Sequence, residues 1–347
     1  MDYAAQGDTR VVWLHGMCSH GNTWVTDRQS TFAAAAGLPT VEPYDVADPS
    51  GAFRAVYEHR VAGPSGKSHG LELRYLVWSP LNDAEKVAVK LDDLRPDGSP
   101  VKASLNAQIK QGLINDCLSD AVIYLGAAGD SIRTWVRSEL CDALGGAISG
   151  DRRCRIDPER PRSKVVFVAE SLGSKMLSDG LLSIWEKRDS AVVERLADVQ
   201  TVFYAANQIP LLDAGGRLPP IGTRTLDEGN DPGLSLLDVL AEARSPESVR
   251  ALDAEPSGTL HFVAYTDPND LLSYRLLPGA NIPERVQVTN VLVSNGPTYF
   301  GLLERPDTAH CGYRWNPYVM SGIVNGSENG GLGTIPVQVK NKSCFGG

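Results

Sequence analysis

The sequence lacks the features of a membrane-spanning or nucleic-acid-binding protein. None of its uninterrupted apolar runs approaches the ~18 residues of a transmembrane helix. Acidic residues outnumber basic ones and the formal net charge is −9, so the basic face that contacts a phosphate backbone is missing. Residues 1–8 contain no apolar stretch of the secretory type. We therefore expect no transmembrane segment, no nucleic-acid partner and a cytoplasmic location by default, with export left open.

Cysteines are also few for a chain of 347 residues, and no two of them form a Cys-x-x-Cys pair. Such scattered cysteines do not suggest a disulfide scaffold, because small disulfide-rich domains carry them at much higher density. We predict reduced, mostly buried thiols at the six positions, which are Cys18, Cys117, Cys141, Cys154, Cys311 and Cys344.

Signals for a cofactor are equally weak. Histidines lie near Cys18 and Cys311, but no acceptable fourth-ligand pattern for a metal follows. Gly66-Lys67-Ser68 resembles the end of a phosphate-binding loop, yet Val61 occupies the position that needs the first glycine. We expect neither a metal nor a nucleotide cofactor.

Strand-like and helix-like segments alternate along the chain, which is the pattern of a mainly parallel central sheet flanked by helices. The length suits a single large α/β domain over residues 1–347, and 42% hydrophobic residues can supply its core. Two polar or proline-rich segments are predicted insertions, either lids over a site or surface loops. Predicted strands are 11–14, 71–78, 164–168, 199–204, 260–265 and 286–293; predicted helices are 131–144, 172–185 and 234–244; the insertions are 79–111 and 210–258.

Residues 164–174 carry the strongest functional signal. A continuous apolar strand is followed by a turn of small residues around Ser171 and then by a helix. A sharp turn lifts a serine hydroxyl clear of a sheet only if the residues two before and two after are small, and Ala169 and Gly173 meet that demand. The helix that follows directs its first N–H groups at the same point, which suits a developing anion. We predict that Ser171 is a nucleophile.

A serine nucleophile needs a general base, and His310 is our candidate among the six histidines. It lies in a loop after the last predicted strand, where catalytic groups of parallel sheets gather. His15 and His20 lie in or near the turn after the first strand and are not chosen.

The triad acid is expected after the strand 260–265, where Asp267 and Asp270 both occur. Asp267 precedes Pro268 and so begins a turn, where an aspartate commonly bonds the turn's own backbone. Asp270 lies beyond that turn, and we expect Leu271-Leu272 to pack inward and fix its direction. We choose Asp270, with Asp267 as the alternative; the chain order Ser, Asp, His separates this arrangement from other serine triads.

Four segments together resemble the α/β-hydrolase superfamily, particularly its esterase- and lipase-like members. They are VVWLHGM at 11–17, VVFVAESLG at 165–173, AYTDPNDLL at 264–272 and AHCGYRWNP at 309–317, and the last is similar to the family's His-x-Gly-Tyr loop. One departure is Ala169, where most relatives have glycine. The resemblance implies the α/β-hydrolase fold, with lid-like insertions, over nearly the whole chain.

The resemblance also implies an oxyanion hole made by two backbone N–H groups. One belongs to Leu172, directly after the nucleophile, and the other maps to the loop His15-Gly16-Met17, where we choose Met17 and take His15 as structural. Asn207 and Gln208 follow the strand 199–204 and either line the substrate pocket or cap the strand end.

The expected function is hydrolysis of a carboxylic ester, from a small molecule or a lipid, through an acyl-enzyme. Acyl transfer, thioester cleavage and amide cleavage use the same machinery and remain alternatives. A non-catalytic binding protein that retains the fold is the alternative of another class.

Overall fold

An eight-stranded sheet lies at the centre of the protein in a computed structural model. The structure describes residues 2–46, 51–90, 99, 103–213, 235–245, 248, 258–276, 282, 285–298 and 304–326. The strands are β1 Thr9–Leu14, β2 Asp45–Val46, β3 Phe53–Ala62, β4 Ser68–Val77, β5 Gly146–Ile148, β6 Cys154–Ile156, β7 Lys164–Glu170, β8 Val199–Ala205, β9 Leu260–Thr266 and β10 Val286–Leu292.

The large sheet has the order β10-β9-β8-β7-β1-β4-β3-β2. The strands from β10 to β4 run parallel, and β3 and β2 add an antiparallel edge. The prediction of an α/β fold with a mainly parallel sheet is therefore confirmed, and every predicted strand is present. Strands β2 and β3 and the small antiparallel pair of β5 and β6 were not predicted.

Helices cover both faces of the sheet. Those predicted at 131–144, 172–185 and 234–244 are present with shifted ends. The α-helices are Asp2–Ala5, Asn22–Ala36, Asp83–Lys90, Ser104–Ile109, Ser119–Leu125, Asp130–Ala143, Leu172–Glu186, Ser190–Ala197, Ile209–Leu212, Leu236–Glu242, Pro306–Cys311 and Pro317–Asn325; a π-helix spans Lys110–Leu118, and 3-10 turns span Ser79–Asn82, Ala127–Gly129 and Gly312–Arg314.

The central strand β7 explains how the sheet is held between two cores. Val165 and Phe167 point into one hydrophobic cluster, while Val166 and Val168 point into the cluster on the opposite face. A strand that is apolar on both faces can be stable only at the centre of a covered sheet. Strands β1 and β7 are neighbours in the sheet. After β1 the chain continues into the side formed by β2, β3 and β4, whereas after β7 it continues into the side formed by β8, β9 and β10. The carboxyl ends of β1 and β7 therefore flank a crevice, the usual position of a site in such sheets.

The five cysteines within the described residues are disulfide-bonded, so the prediction of reduced thiols was wrong for them. Cys18 is bonded to Cys117 across a sequence separation of 99 residues, and Cys141 is bonded to Cys154 across 13 residues. Cys311 is disulfide-bonded as well, and Cys344 lies outside the described residues. Spacing along the chain gave no warning, because the fold brings the partners together and pairing cannot be deduced from sequence.

The two predicted insertions differ in how much of them the structure describes. The first begins with Ser79, Asn82 and Lys86, whose side chains are all buried; its start is therefore packed framework rather than a surface loop. Most of the second lies outside the described residues, apart from stretches that include the helix Leu236–Glu242, which packs its leucines into the core. A lid role for either segment stays a prediction. Within the described ranges, no helix has both the length and the apolar character to cross a membrane.

Candidate active site

Ser171 lies on a sharp turn between β7 and the helix Leu172–Glu186. Its backbone has φ +52° and ψ −123°, a left-handed conformation that is unusual for a residue with a side chain. Two hydrogen bonds hold the turn: the Ser171 N–H donates to the carbonyl of Ala205 at the end of β8 at 2.8 Å, and the Ser174 hydroxyl donates to the Ser171 carbonyl at 2.7 Å. The strand, turn and helix thus have the arrangement that the sequence predicted.

Close backbone approach explains why small residues surround this serine. A Cβ atom at Gly16 would lie 2.6 Å from the Ser171 Cβ, and one at Gly173 would lie 2.7 Å from the His15 carbonyl oxygen. Neither distance is tolerable, so the loop after β1 can lie against the turn only because both positions are glycine. Ala169 is fully buried beneath the turn.

Ser171, His310 and Asp270 form a hydrogen-bonded chain. The Ser171 Oγ lies 2.9 Å from His310 Nε2, and His310 Nδ1 lies 2.9 and 3.0 Å from the two carboxylate oxygens of Asp270. A proton on Nδ1 facing the carboxylate leaves Nε2 free to accept the serine proton. His310 occupies the short helix Pro306–Cys311 rather than a loop. Its side chain is 16% exposed, whereas that of Asp270 is fully buried.

Asp267, the alternative acid, does not contact His310. Its Oδ1 accepts the Asn269 N–H at 2.9 Å, as expected of an aspartate that begins a turn, and its Oδ2 accepts the Asn295 N–H at 2.6 Å. Burial raises the pKa of Asp267, and the nearby charge of Asp270 adds to the effect. The two carboxylates therefore have different positions, and only Asp270 faces the histidine.

One expectation about the neighbours of Asp270 was wrong. Leu271 does not pack inward but is 72% exposed, although Leu272 packs against the core. Asp270 is instead oriented by two donors. The Leu272 N–H donates to its Oδ1 at 3.0 Å, and the Tyr313 hydroxyl donates to its Oδ2 at 3.1 Å.

Tyr313 is a site residue that the sequence analysis missed. It is buried, and besides donating to Asp270 its hydroxyl accepts the Asp267 N–H at 2.6 Å. Burial raises the pKa of this hydroxyl well above its usual value, with a further contribution from the charge of Asp270. Tyr313 remains neutral and can act as a donor. The signal was its presence in the same His-Cys-Gly-Tyr segment as the candidate base.

The backbone amides of Met17 and Leu172 are placed beside the serine by the loop after β1 and by the start of a helix. Neither N–H has an acceptor among the described residues. A cavity of about 20 Å³ adjoins Ser171 and is lined by Gly16, Met17 and His310 among others. An oxyanion hole requires two such N–H donors beside the serine hydroxyl.

The other histidines of this region have no contact with Ser171. His15 is fully buried, stacks on Trp78 and accepts the Trp78 N–H at 3.1 Å, and burial lowers its pKa to about 3. His20 Nε2 lies 2.9 Å from the Arg314 guanidinium, so it accepts a hydrogen bond; burial and the charge of Arg314 lower its pKa well below the usual value. Both are therefore neutral, and His15 has the structural role that we predicted.

An ion pair of low exposure, between Glu170 and Arg314, lies directly behind Ser171. Glu170 accepts the Trp13 indole N–H at 2.8 Å, and its second oxygen lies 3.5 Å from the Arg314 Nε. Burial lowers the pKa of Arg314, although the carboxylate of Glu170 opposes that shift. Glu170 and Arg314 line the cavity beside Ser171, so this wall is polar.

Asn207 and Gln208 are buried near the end of β8, and the contacts of Asn207 are with the protein. The Asn207 amide donates to the Tyr274 carbonyl at 3.2 Å and accepts the Ile209 N–H at 3.2 Å. Neither residue lines the cavity beside Ser171. The contacts of Asn207 fit a capped strand end, and a substrate-binding role for the two stays a prediction without support from these contacts.

The described residues bring together one group with metal-binding atoms, Cys18, Asp116 and Cys117. Because both sulfurs belong to a disulfide, they cannot act as thiolate ligands. The group therefore does not fit a metal.

Comparison with known proteins adds little. No family model matches the chain, and no curated protein matches it. Among solved structures, it is similar to acetyl xylan esterase 1 from a Thermoanaerobacterium species, at 12% identity and a TM-score of 0.25, over 85% of this chain and 72% of that one. A likeness this weak supports no functional argument, so the function has to be argued from the site.

Proposed function

We propose that the protein is a serine hydrolase of the α/β-hydrolase type that cleaves a carboxylic ester through an acyl-enzyme. The observation that carries the proposal is the hydrogen-bonded series from Ser171 through His310 to Asp270, with both hydrogen bonds at 2.9 Å. Ser171 itself lies on a strand-to-helix turn with a left-handed backbone. A protein that only binds a ligand has no need of a nucleophile, a base and an acid in this geometry.

The proposed acylation begins when Ser171 Oγ attacks the ester carbonyl carbon and its proton passes to His310 Nε2. The carbonyl oxygen becomes an oxyanion, which the amides of Met17 and Leu172 stabilise without reorganisation. Asp270 keeps the imidazole in the required tautomer and stabilises its positive charge. His310 then gives the proton to the leaving alcohol as the carbon–oxygen bond breaks, and the acyl group remains on Ser171.

Deacylation repeats these steps with water. His310 takes a proton from the water as its oxygen attacks the acyl carbon, and a second oxyanion forms at the same two amides. The proton then returns to Ser171 Oγ as the acid product leaves. No metal or other cofactor is needed for either half-reaction.

Turnover of p-nitrophenyl acetate by the wild type and by Ser171→Ala tests the proposal. Loss of a triad nucleophile typically costs ~10⁶ in kcat, so the variant should be close to the uncatalysed rate while its circular dichroism spectrum is unchanged. Ser183→Ala, on the same helix but lining a different cavity, is the matched control and should keep wild-type activity. A folded Ser171→Ala variant with a tenth of the wild-type rate would disprove the assignment.

We also propose an oxidising compartment in place of the cytoplasm expected from the sequence. Disulfides persist where thiols are not kept reduced, and the described residues contain two complete bridges. Thiol titration of protein isolated from its natural source, under denaturing conditions without reductant, should find these cysteines unreactive.

A further inference from the structure

The loop after β1, residues 15–20, is held by a distant part of the chain. We call residues 78–90 and 103–120 the anchoring segment. Its Trp78 N–H donates to the His15 ring, and Ser79 exchanges two hydrogen bonds with the His20 backbone, at 2.9 and 3.0 Å. The Cys18–Cys117 disulfide adds a covalent link. This loop carries the Met17 amide, so these contacts hold the backbone on both sides of that donor.

Asp120 makes the most specific of these contacts. Its Oδ2 accepts the Cys18 N–H at 2.7 Å, while its Oδ1 accepts the Asn82 amide at 2.5 Å and lies 2.8 Å from Lys86 Nζ. The side chain of Asp120 is fully buried, and that of Lys86 is 1% exposed. A carboxylate removed from water in this way needs all of these partners to be stable.

Two neighbouring amides of the loop differ in their hydrogen bonding: the Cys18 N–H is bonded to Asp120, and the Met17 N–H is not. Cys18 has a left-handed backbone, with φ +78°, and its N–H faces Asp120. The preceding amide, that of Met17, is then left without an acceptor among the described residues. The Met17 N–H belongs to the adjoining peptide, between Gly16 and Met17, so a loop released from Asp120 can shift the backbone at Met17 and move this donor.

We infer that Asp120, held by Lys86 and Asn82, is a positioning residue for the oxyanion donor of the loop. The inference depends on the proposed hydrolase function and deepens it. Asp120 touches no reacting atom: it acts by fixing the Cys18 N–H, and through that bond the orientation of the neighbouring Met17 amide. A loop needed only for folding could be held by apolar contacts, whereas a charged acceptor aimed at one amide fixes a direction.

Asp120→Asn tests the inference, because it keeps the shape but removes the charge that pairs with Lys86. Loss of one oxyanion donor typically costs ~10²–10³ in kcat, so partial displacement should lower kcat by roughly 10- to 100-fold. KM for p-nitrophenyl acetate should change by less than about twofold, because ground-state binding does not use the oxyanion donor. The inhibition constant of a trifluoromethyl ketone, which forms a tetrahedral oxyanion on serine, should rise in proportion to the loss of kcat/KM.

Asp179→Asn is the matched control. Asp179 also pairs with a lysine, Lys175, at 2.6 Å, and it accepts from Tyr124 at 2.8 Å, but it does not contact the loop. It should keep the wild-type kcat and inhibition constant. A folded Asp120→Asn variant with wild-type kcat and inhibition constant, or with its loss confined to KM, would overturn the inference.

Ser79→Ala decides the question if Asp120→Asn does not fold. It removes both hydrogen bonds to the His20 backbone but leaves the buried ion pair in place, and it should lower kcat several-fold at constant KM. An unchanged kcat would overturn the inference in that case. Failure of the proposed function is distinguishable, because the wild type itself would then show no turnover and no inhibition by the ketone.

Discussion

Tyr313→Phe removes one hydroxyl from the support of the proposed triad and leaves Ser171, His310 and Asp270 in place. The hydroxyl donates to Asp270 Oδ2 at 3.1 Å and accepts the Asp267 N–H at 2.6 Å. The variant therefore loses a hydrogen bond to a charged group, worth ~1.5–3 kcal/mol, and leaves a buried N–H without an acceptor, at a cost of ~1–3 kcal/mol. We expect a lower free energy of unfolding together with a lower kcat.

The loss of kcat should be much smaller than for loss of the acid itself. In the Tyr313→Phe variant Asp270 still accepts the Leu272 N–H at 3.0 Å and still faces His310 Nδ1 at 2.9 Å. It becomes less firmly oriented but remains charged, so we expect kcat to fall about 10-fold, equivalent to ~1.4 kcal/mol. Removal of a triad aspartate typically costs ~10⁴.

Steady-state kinetics with p-nitrophenyl acetate and urea unfolding of the same preparation measure the two effects. Tyr75→Phe is the control, since its buried hydroxyl donates to Gln29 at 3.2 Å and has no link to the triad; it should lose stability at constant kcat. If Tyr313→Phe lost stability only, or lost as much kcat as Asp270→Asn, the reasoning about its support of Asp270 would be refuted.

Three further predictions concern the carboxylates and a disulfide. Asp270→Asn should lose ~10⁴ in kcat and remain folded, whereas Asp267→Asn should stay active and lose ~1–3 kcal/mol of stability; kcat measured beside the melting temperature separates them, and the reverse pattern would make Asp267 the acid. Burial and the charge of Asp267 raise the pKa of Glu304 from 4.5 to about 7. The stability that protonated Glu304 contributes to the folded protein is therefore fully present below pH 4.5 and is lost as pH rises through about 7. Glu304→Gln should flatten the pH dependence of the melting temperature over this range, and an unchanged slope would contradict this. Replacing both Cys141 and Cys154 by alanine opens a loop with a separation of 13 residues and should cost ~2–4 kcal/mol in denaturant unfolding, while an unchanged midpoint would argue against the bridge.

The parts of the fold and site that could be predicted depend on short-range pattern. The apolar run of β7, the small residues beside Ser171 and the helix that follows are local features, and each has a steric reason that can be read from neighbouring letters. Asp270 could be preferred over Asp267 because Pro268 sets the turn between them. The bond from Asp267 to the Asn269 N–H has the predicted form.

The parts that could not be predicted depend on contacts between distant residues. Cys18 and Cys117 are 99 residues apart, and Asp120 reaches the loop after β1 from the helix Ser119–Leu125, which was not predicted. Tyr313 supports Asp270 only because the folded chain directs its hydroxyl there, and the exposure of Leu271 shows that an apolar pair does not reveal which member packs inward. Strand β3 was missed because its charged residues lie in an antiparallel edge hairpin, where a strand is not apolar on both faces.

The central claim is that Ser171 is an activated nucleophile, and covalent labelling tests it most directly. The wild-type protein should react with a fluorophosphonate until each chain carries a single adduct, and peptide mass spectrometry should place the adduct on Ser171. Acid denaturation before labelling should abolish the reaction, because the hydrogen bond at 2.9 Å to His310 exists only in the folded protein. An unlabelled native protein, or an adduct on any other residue, would contradict the account.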